Sequence, residues 1–261
     1  MSGSLSPAMS PPMSPSLSDG DGGTATYQSI LGSLLVALWT TKDNAGVGLG
    51  SGTFASGTID TWTDQVGGAV LPAPSASNRP NYTVDGTAFG GRSVVQTAVT
   101  GSKLLRATAL TSIAPSGSRP WLFIRGRWRS DSGTTSLWAV HAGSAGSSLA
   151  VIRNSPFTQF QGTDVNTLNV NDGSADFGVH SFSAWADGTN LNIDVDGSAS
   201  SASFSGSLGA ALTKIGVGVY AQDGATGKCD FSVGLILICS SYPGLAISNT
   251  ARALAAQDFP A

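Results

Sequence analysis

Residues 59–106 constrain the fold more than any other part of the chain, because strand-like alternation and turn residues follow one another closely there. The segment opens with a two-residue alternation that places Ile59 and Trp62 on opposite sides of a predicted strand. The alternation stops at Gly67 and Gly68, which adopt positive φ at little cost. Further strand-like runs occupy residues 82–84 and 93–99, with a turn at residues 85–86. Short strands joined by turns predict an antiparallel β fold.

The composition agrees with one large β-sandwich. The chain has 261 residues, 34 of them glycine, and only 11 % of its residues are charged. Frequent turns and small side chains favour an all-β fold over a helical one, and such sandwiches commonly reach this length as a single domain. The formal net charge of −3 argues against nucleic acid as a partner, because nucleic-acid binding usually needs a basic face.

The N-terminal part carries no export or membrane signal. No Lys or Arg precedes an apolar stretch there, as a secretory signal would require. The longest apolar run, residues 30–39, is about half the length of a membrane-spanning helix. We therefore expect no membrane partner and synthesis in a cytoplasm.

Residues 1–26 are predicted to form an extended arm ahead of a folded domain at residues 27–261. This segment is rich in Ser, Pro and Gly and has too few bulky side chains to fold alone. It also has a four-residue repeat in which each apolar residue is followed by serine: Leu5, Met9, Met13 and Leu17. One interpretation is an assembly arm that inserts these side chains into a partner. The other is a disordered tail.

The remaining chain predicts a dozen or so strands and a short C-terminal helix. A helical turn is expected at residues 27–31 and a loop at residues 42–57. Strands are expected at residues 34–40, 120–129, 136–142, 148–153, 159–161, 179–186, 190–195, 214–220 and 231–239. The C-terminal helix is expected at residues 250–256 with Ser248 as its N-cap. This pattern fits an antiparallel two-sheet jelly-roll β-sandwich.

Three arginines share one face of the predicted strand at residues 120–129. Arg125, Arg127 and Arg129 alternate with apolar residues that point to the other face. Like charges in one row repel each other unless acidic groups lie opposite. The stripe therefore pairs with aspartates of neighbouring strands, such as Asp194 or Asp230, or it is a docking face for an acidic partner.

Four motifs resemble the laminin-G-like group of the concanavalin-A-like lectin/glucanase superfamily. They read W-x-D-Q-x-G, N-R-P-x-Y, G-R-x-V-V and G-x-x-L-L, in that order, within residues 62–105. The resemblance implies a jelly-roll fold in which the motif residues are structural: Trp62, Asp64, Gly67, Arg79, Pro80 and Tyr82. Members of this superfamily include glycan binders, hydrolases, adhesion modules and bacteriophage virion domains.

The sequence offers no catalytic group. A retaining glycosidase needs two carboxyl groups about 5 Å apart, one of them with a raised pKa. The chain has no glutamate, and its closest approach to such a pair is Asp194 with Asp196, where the superfamily places a structural turn. Neither His141 nor His180 lies in a nucleophile motif. We therefore expect no catalytic residues and no enzymatic activity.

No cofactor is expected, and calcium is the one metal left open. The chain lacks the clustered Cys and His spacing of a zinc site. Some superfamily members hold calcium at the rim of the sandwich, and the Asp-rich turns at residues 19–21 and 171–173 are candidates for such a site. Cys229 and Cys239 flank one predicted strand about 33 Å long, so both are expected to be free thiols.

These observations favour a non-enzymatic virion protein, namely a bacteriophage capsid decoration or surface protein. Its expected partners are capsid protein or further copies of itself, in a homo-oligomer. The alternative is a carbohydrate-binding module, which would stack exposed aromatics on sugar rings. Five tryptophans lie in strand-like stretches and are expected in the core: Trp62, Trp121, Trp128, Trp138 and Trp185. An exposed aromatic pair beside a groove would favour glycan binding. A polysaccharide hydrolase is a third, less favoured alternative.

Overall fold

A computed structural model describes residues 23–86, 88–111, 113–130, 137–144, 147–154, 157–162, 166–170, 177–203, 210–219, 221 and 227–261. Within them the chain forms helix α1 (Gly23–Leu31), seventeen strands and helix α2 (Leu245–Asp258). The first eight strands are β1 (Leu35–Thr40), β2 (Val47–Gly52), β3 (Ser56–Thr63), β4 (Val70–Pro72), β5 (Asn81–Val84), β6 (Ser93–Gln96), β7 (Leu105–Ala107) and β8 (Trp121–Trp128). The others are β9 (Leu137–Ser144), β10 (Ser147–Asn154), β11 (Phe157–Gly162), β12 (Asn166–Val170), β13 (His180–Ala186), β14 (Asn190–Val195), β15 (Ser198–Ser203), β16 (Lys214–Val217) and β17 (Phe231–Cys239).

The strands form two antiparallel sheets, which confirms the predicted β-sandwich. The larger sheet runs β15-β14-β13-β8-β17-β6-β5-β3-β2, with β1 paired to β17 and β4 paired to β3. The smaller sheet runs β12-β11-β10-β9-β16-β7. Neither described helix is long and apolar enough to cross a membrane.

Apolar side chains from both sheets meet in the main core. Trp62, Ile124 and Phe182 come from the large sheet, and Val151 and Ile215 come from the small one. Alternate residues of β8 enter this core, as the sequence pattern predicted. The inner surface of the sandwich is therefore a closed hydrophobic layer.

A second core lies on the outer face of the large sheet, under the two helices. Tyr27 of α1 and Leu254 of α2 pack there with Trp121, Phe123 and Leu237. Strand β17 runs between the two cores, and all nine of its residues are buried. Burial on both faces explains its continuous apolar sequence.

A glycine interrupts β17 where the C-terminal segment crosses it. The pairing of β17 with β8 shifts between Val233 and Leu235, so Gly234 forms a β-bulge. A side chain at Gly234 would collide with the ring of Phe259, at 2.6 Å from its Cβ position. The bare backbone therefore lets the end of the chain pack against the sheet.

The Asp64 carboxylate joins β1 to the turn that follows β3. It accepts hydrogen bonds from the backbone N–H groups of Leu38 at 2.6 Å, Val66 at 3.0 Å and Gly67 at 2.6 Å. A Cβ at Gly67 would lie 3.1 Å from an Asp64 oxygen, so glycine suits this close approach. Asp64 is only 3 % exposed. We call these four residues the Asp64 clamp.

Strand β3 differs from its predicted alternation. Ile59 and Trp62 were expected on opposite sides, yet both are fully buried in the main core. The pairing with β2 passes from Thr61 directly to Ile59, which leaves Asp60 as a β-bulge. A bulge adds one residue to the strand and reverses the direction of the side chains beyond it.

Several predicted boundaries also need correction. Residues 42–57 were predicted as a loop, but they contain β2 and the start of β3. Helix α2 begins at Leu245, five residues before its predicted start, and Gly244 is its N-cap. Ser248 is inside the helix and donates to the Leu245 carbonyl oxygen at 3.0 Å. Helix α1 begins at Gly23, so the predicted boundary between residues 26 and 27 falls within a helix.

Replacing Asp64 with alanine should destabilise the whole domain, because three backbone N–H groups would lose their acceptor. Leaving buried donors unsatisfied costs about 1–3 kcal/mol each, so we expect a loss of about 3 kcal/mol or more. For a domain of this size that lowers the melting temperature by about 6–12 °C. The Asp64→Asn variant keeps one acceptor oxygen and should lose less stability than Asp64→Ala. Equal melting temperatures for wild type and Asp64→Ala, measured by circular dichroism, would contradict the role of the clamp.

Candidate functional site

The motif residues support the fold, as the resemblance implied. Trp62 is fully buried, and its indole N–H donates to the carbonyl oxygen of Thr40 at 3.2 Å. Tyr82 is also fully buried, and its hydroxyl donates to Asn44 Oδ1 at 2.8 Å. Both side chains therefore hold the connection after β1 against the core.

The N-R-P-x-Y motif fixes the bulge of β3. Arg79 Nε donates to the carboxylate of Asp60 at 3.0 Å, and this ion pair is partly exposed. The carbonyl oxygen of Pro80 accepts the backbone N–H of Ile59 at 3.0 Å. The motif thus stabilises the position where β3 changes its alternation.

A polar row crosses the part of the large sheet that contains β2, β3, β5 and β6. The strand pairing places Ser51 opposite Thr58, Thr58 opposite Asn81, and Asn81 opposite Gln96. These four residues line an open groove of about 550 Å³, together with Thr83 and Ser56. We call it the polar groove. Its hydroxyl and amide groups can exchange hydrogen bonds with a polar ligand.

Arg125, the first arginine of the stripe, is almost completely buried at 5 % exposure. Its Nε donates to the carbonyl oxygen of Phe259 at 3.0 Å, and a second nitrogen donates to Ser181 Oγ at 3.2 Å. The carboxylate of Asp196 lies 3.7 Å away. Arg125 therefore connects β8 to the C-terminal segment and is not available to a partner.

The other two arginines of the stripe also make contacts within the chain. Arg127 donates to the carboxylate of the buried Asp85 at 2.8 Å. Arg129 donates to the carbonyl oxygen of Thr97. The described contacts favour internal pairing over the predicted docking face.

The acids that pair with the stripe are not the two that were predicted. Asp194 forms an ion pair with Arg252 at 2.8 Å. Asp230 accepts the backbone N–H of Val99 at 2.8 Å and the hydroxyl of Ser130 at 2.7 Å. Strand order, which the sequence left open, decides which carboxylate reaches which arginine.

Asp194 and Asp196 do not resemble the carboxyl pair of a glycosidase. The ion pair of Asp194 with helix α2 engages its carboxylate. Burial alone would raise the pKa of Asp196, but hydrogen bonding with His180 and with the Ser181 N–H, and the charge of Arg125, lower it overall. A general acid needs the opposite shift. This pair therefore stabilises the turn between β14 and β15.

Both histidines take part in structural hydrogen bonds. His180 Nδ1 lies 2.6 Å from the carboxylate of Asp196. His141 is fully buried, and its Nδ1 accepts the backbone N–H of Ala221 at 3.2 Å. These two hydrogen bonds join each imidazole ring to a carboxylate or to the backbone within the described part of the chain.

The two cysteines are free thiols, as predicted, and both are buried. Burial raises the pKa of the Cys239 thiol to about 12. It also raises the pKa of Cys229, well above the ordinary thiol value. Both side chains therefore stay protonated at neutral pH and act as core residues.

Among the residues that the structure describes, no group of three or more His, Cys or Asp side chains is arranged to hold a metal ion. The two calcium candidates, residues 19–21 and 171–173, lie outside the described residues. So do the four apolar residues of the arm: Leu5, Met9, Met13 and Leu17.

One tryptophan differs from the expected core placement. Trp39, Trp62, Trp121 and Trp128 are at most 1 % exposed, whereas Trp185 is only half-buried. Its ring stacks on that of Tyr242 with 4.2 Å between centroids and 7° between planes. The side chain of Trp138 lies outside the described part of the chain. No local pattern could predict this aromatic pair, because its members are 57 positions apart.

No family model and no curated protein matches the chain. Solved structures do match. A GH54 α-L-arabinofuranosidase soaked with a cyclic sulfate inhibitor gives a TM-score of 0.59 at 11 % identity, over 89 % of this chain and 65 % of that one. An arabinofuranosidase complexed with arabinofuranosyl-α-1,2-xylobiose gives 0.57 at 12 % identity, over 87 % and 59 %. The binding domain of botulinum neurotoxin serotype D gives 0.52 at 8 % identity, over 90 % and 53 %.

These similarities concern the fold alone. The chain spans less than two thirds of each of the three matched proteins. They confirm a two-sheet β-sandwich fold. The bacteriophage origin stays a prediction.

Reversing the charge of Arg127 tests whether the arginine stripe stabilises the fold through ion pairs within the chain. In Arg127→Glu a second carboxylate would face the buried Asp85, and breaking a buried pair costs about 3 kcal/mol. The melting temperature should fall by about 6–12 °C. Arg92→Glu makes the same change of net charge at an exposed position and should melt within about 2 °C of wild type. Similar melting of all three proteins would restore the docking interpretation.

Proposed function

We propose that the protein is a non-enzymatic virion structural protein, namely a bacteriophage capsid decoration or surface protein. It attaches through its N-terminal arm and displays the β-sandwich. The observation that carries the proposal is that charged side chains of the domain form ion pairs with one another. Five acids each form an ion pair with a basic residue of the same chain: Asp60, Asp85, Asp194, Asp196 and Asp258. Carboxylates that support the fold in this way suit a display domain.

The anchorage of helix α1 supports attachment through the preceding segment. The Tyr27 side chain is fully buried, and its hydroxyl donates to the carboxylate of Asp258 at 3.1 Å. The same carboxylate accepts from Lys42 Nζ at 2.7 Å. A load on the arm would therefore pass through α1 into both α2 and the large sheet.

The arm itself is suited to many weak contacts. Ordering an extended segment costs about 1 kcal/mol per residue or more. Each of the four apolar residues can return about 1.5–3 kcal/mol on full burial in a capsid protein or in another copy of the chain. Over the repeat at residues 5–17 the ordering cost is at least as large as the burial gain, so one arm alone binds weakly and attachment needs several arms together or a second contact. This favours a homo-oligomer on a particle, assembled from protein made in the host cytoplasm.

Carbohydrate binding is the second candidate function, as a module that mediates attachment to glycans or a host surface. The half-buried Trp185–Tyr242 pair favours it, because sugar sites place an aromatic face beside hydroxyl and amide groups. The arabinofuranosidases have sugar substrates and a similar fold, at 11–12 % identity.

Deleting residues 1–22 tests the attachment role and leaves helix α1 intact. Tagged protein would be expressed during virus production, and the particles would be purified on a density gradient. The full chain should co-purify with the particles, and the truncated chain should remain at the top of the gradient with an unchanged melting temperature. A full-length control with serine at positions 5, 9, 13 and 17 should behave like the truncated protein. Equal particle association of the truncated and full chains would contradict the proposal.

A further inference from the structure

We infer that Trp185, Asn192 and Ser201 form a binding site for one neutral sugar ring on the outer face of β13, β14 and β15. We call it the Trp185 site. This inference rests on the second proposed function and gives it a location that differs from the polar groove.

The aromatic wall of the site is Trp185, supported from one side. The β13 pairing places Trp185 between Trp121 of β8 and Asn192 of β14. Tyr242 contacts both tryptophans, with centroids 4.2 Å from Trp185 and 6.3 Å from Trp121. Tyr242 therefore lies on the side of Trp185 nearer β8 and supports the indole there. Trp185 is only half-buried, and a partly exposed indole held by a stacked neighbour is a suitable sugar platform.

The side chains next to the indole on β14 and β15 are polar and short. Asn192 is half-buried, and Ser201 lies directly opposite it on β15 and is exposed. The neighbouring outward positions of this edge strand, Ala199 and Ser203, are also small and exposed. Short side chains beside the indole leave room for a ring to stack against it.

A charged turn orients the amide of Asn192. The carboxylate of Asp187 accepts the backbone N–H groups of Thr189 at 2.8 Å and Asn190 at 2.7 Å. The hydrogen bond from the Thr189 N–H contributes most to lowering the pKa of Asp187, so the group is ionised at neutral pH. Its second oxygen accepts Asn192 Nδ2 at 3.0 Å. The amide oxygen of Asn192 therefore points away from Asp187 and is an acceptor fixed in advance of binding.

The chemistry of these groups fits a neutral sugar. The carbon-bound hydrogens of one sugar face are apolar and can pack on the indole, while the hydroxyl groups around the ring donate to Asn192 Oδ1 and Ser201 Oγ. Asp187 and the guanidinium of Arg119, which lies beside Gly188, carry opposite charges at this turn, so the turn favours neither an acidic nor a basic sugar. Because β15 is the edge of the sheet, a polysaccharide chain can continue past the site.

Native affinity electrophoresis of the full chain tests the site, in gels that contain xylan, arabinan, galactan or mixed-linkage glucan. At least one of these neutral polysaccharides should retard the wild-type protein. Trp185→Ala should weaken that retardation about tenfold or more, as truncation of an aromatic hot spot does. Trp185→Phe, which keeps an aromatic face, should retain part of it.

Two further variants separate binding from folding and from the other candidate site. Ser201→Arg fills the site from an exposed edge position, so it should abolish retardation without lowering the melting temperature. The double variant Thr58→Ala and Asn81→Ala alters the polar groove and should bind like the wild type. If the groove variant loses binding while Trp185→Ala and Ser201→Arg keep it, glycan binding stands and the Trp185 site is wrong. If no gel retards the wild type, both the site and the second candidate function fail.

Discussion

The Asp64 carboxylate is the interaction on which the rest of this sandwich depends. Its three hydrogen bonds to Leu38, Val66 and Gly67 attach β1 to the turn after β3. Strand β1 in turn pairs with β17, which separates the two hydrophobic cores. The buried Asp64 side chain thus sets the position of β1, and through β1 that of β17. Strand β17 contributes apolar residues to both hydrophobic cores.

The two helices cover only part of the outer face of the large sheet, and the proposed binding surfaces lie on the part that they leave uncovered. Helices α1 and α2 pack on the face formed by β1, β17 and β8. On one side of them lies the polar groove of β2, β3, β5 and β6, and on the other lies the Trp185 site of β13–β15. The arginines of β8 stand between these regions and hold the structure together through contacts within the chain. The outer face of the large sheet therefore has two polar surfaces next to a helix-covered centre.

Local pattern predicted much of the fold, and long-range geometry explains what it missed. Residues 121–128 alternate as expected, because each face of β8 packs on a different core. Ile59 was misplaced because the bulge at Asp60 is fixed by Arg79, nineteen positions away. Strand β2 was missed in the prediction because its sequence contains several glycines, which weaken a strand pattern. The partners of the arginines and the stacking of Tyr242 depend on strand order and on a distant loop, which local periodicity does not encode.

Hydrogen–deuterium exchange of individual backbone amides tests the central role of Asp64 most directly. Val66 and Gly67 lie in a turn outside the strands, where amides normally exchange quickly. If their N–H groups are held by the Asp64 carboxylate, they should exchange as slowly as Leu38 within β1, and only when the whole domain unfolds. Exchange of Val66 and Gly67 at the rate of an open turn, with Leu38 still protected, would contradict this account.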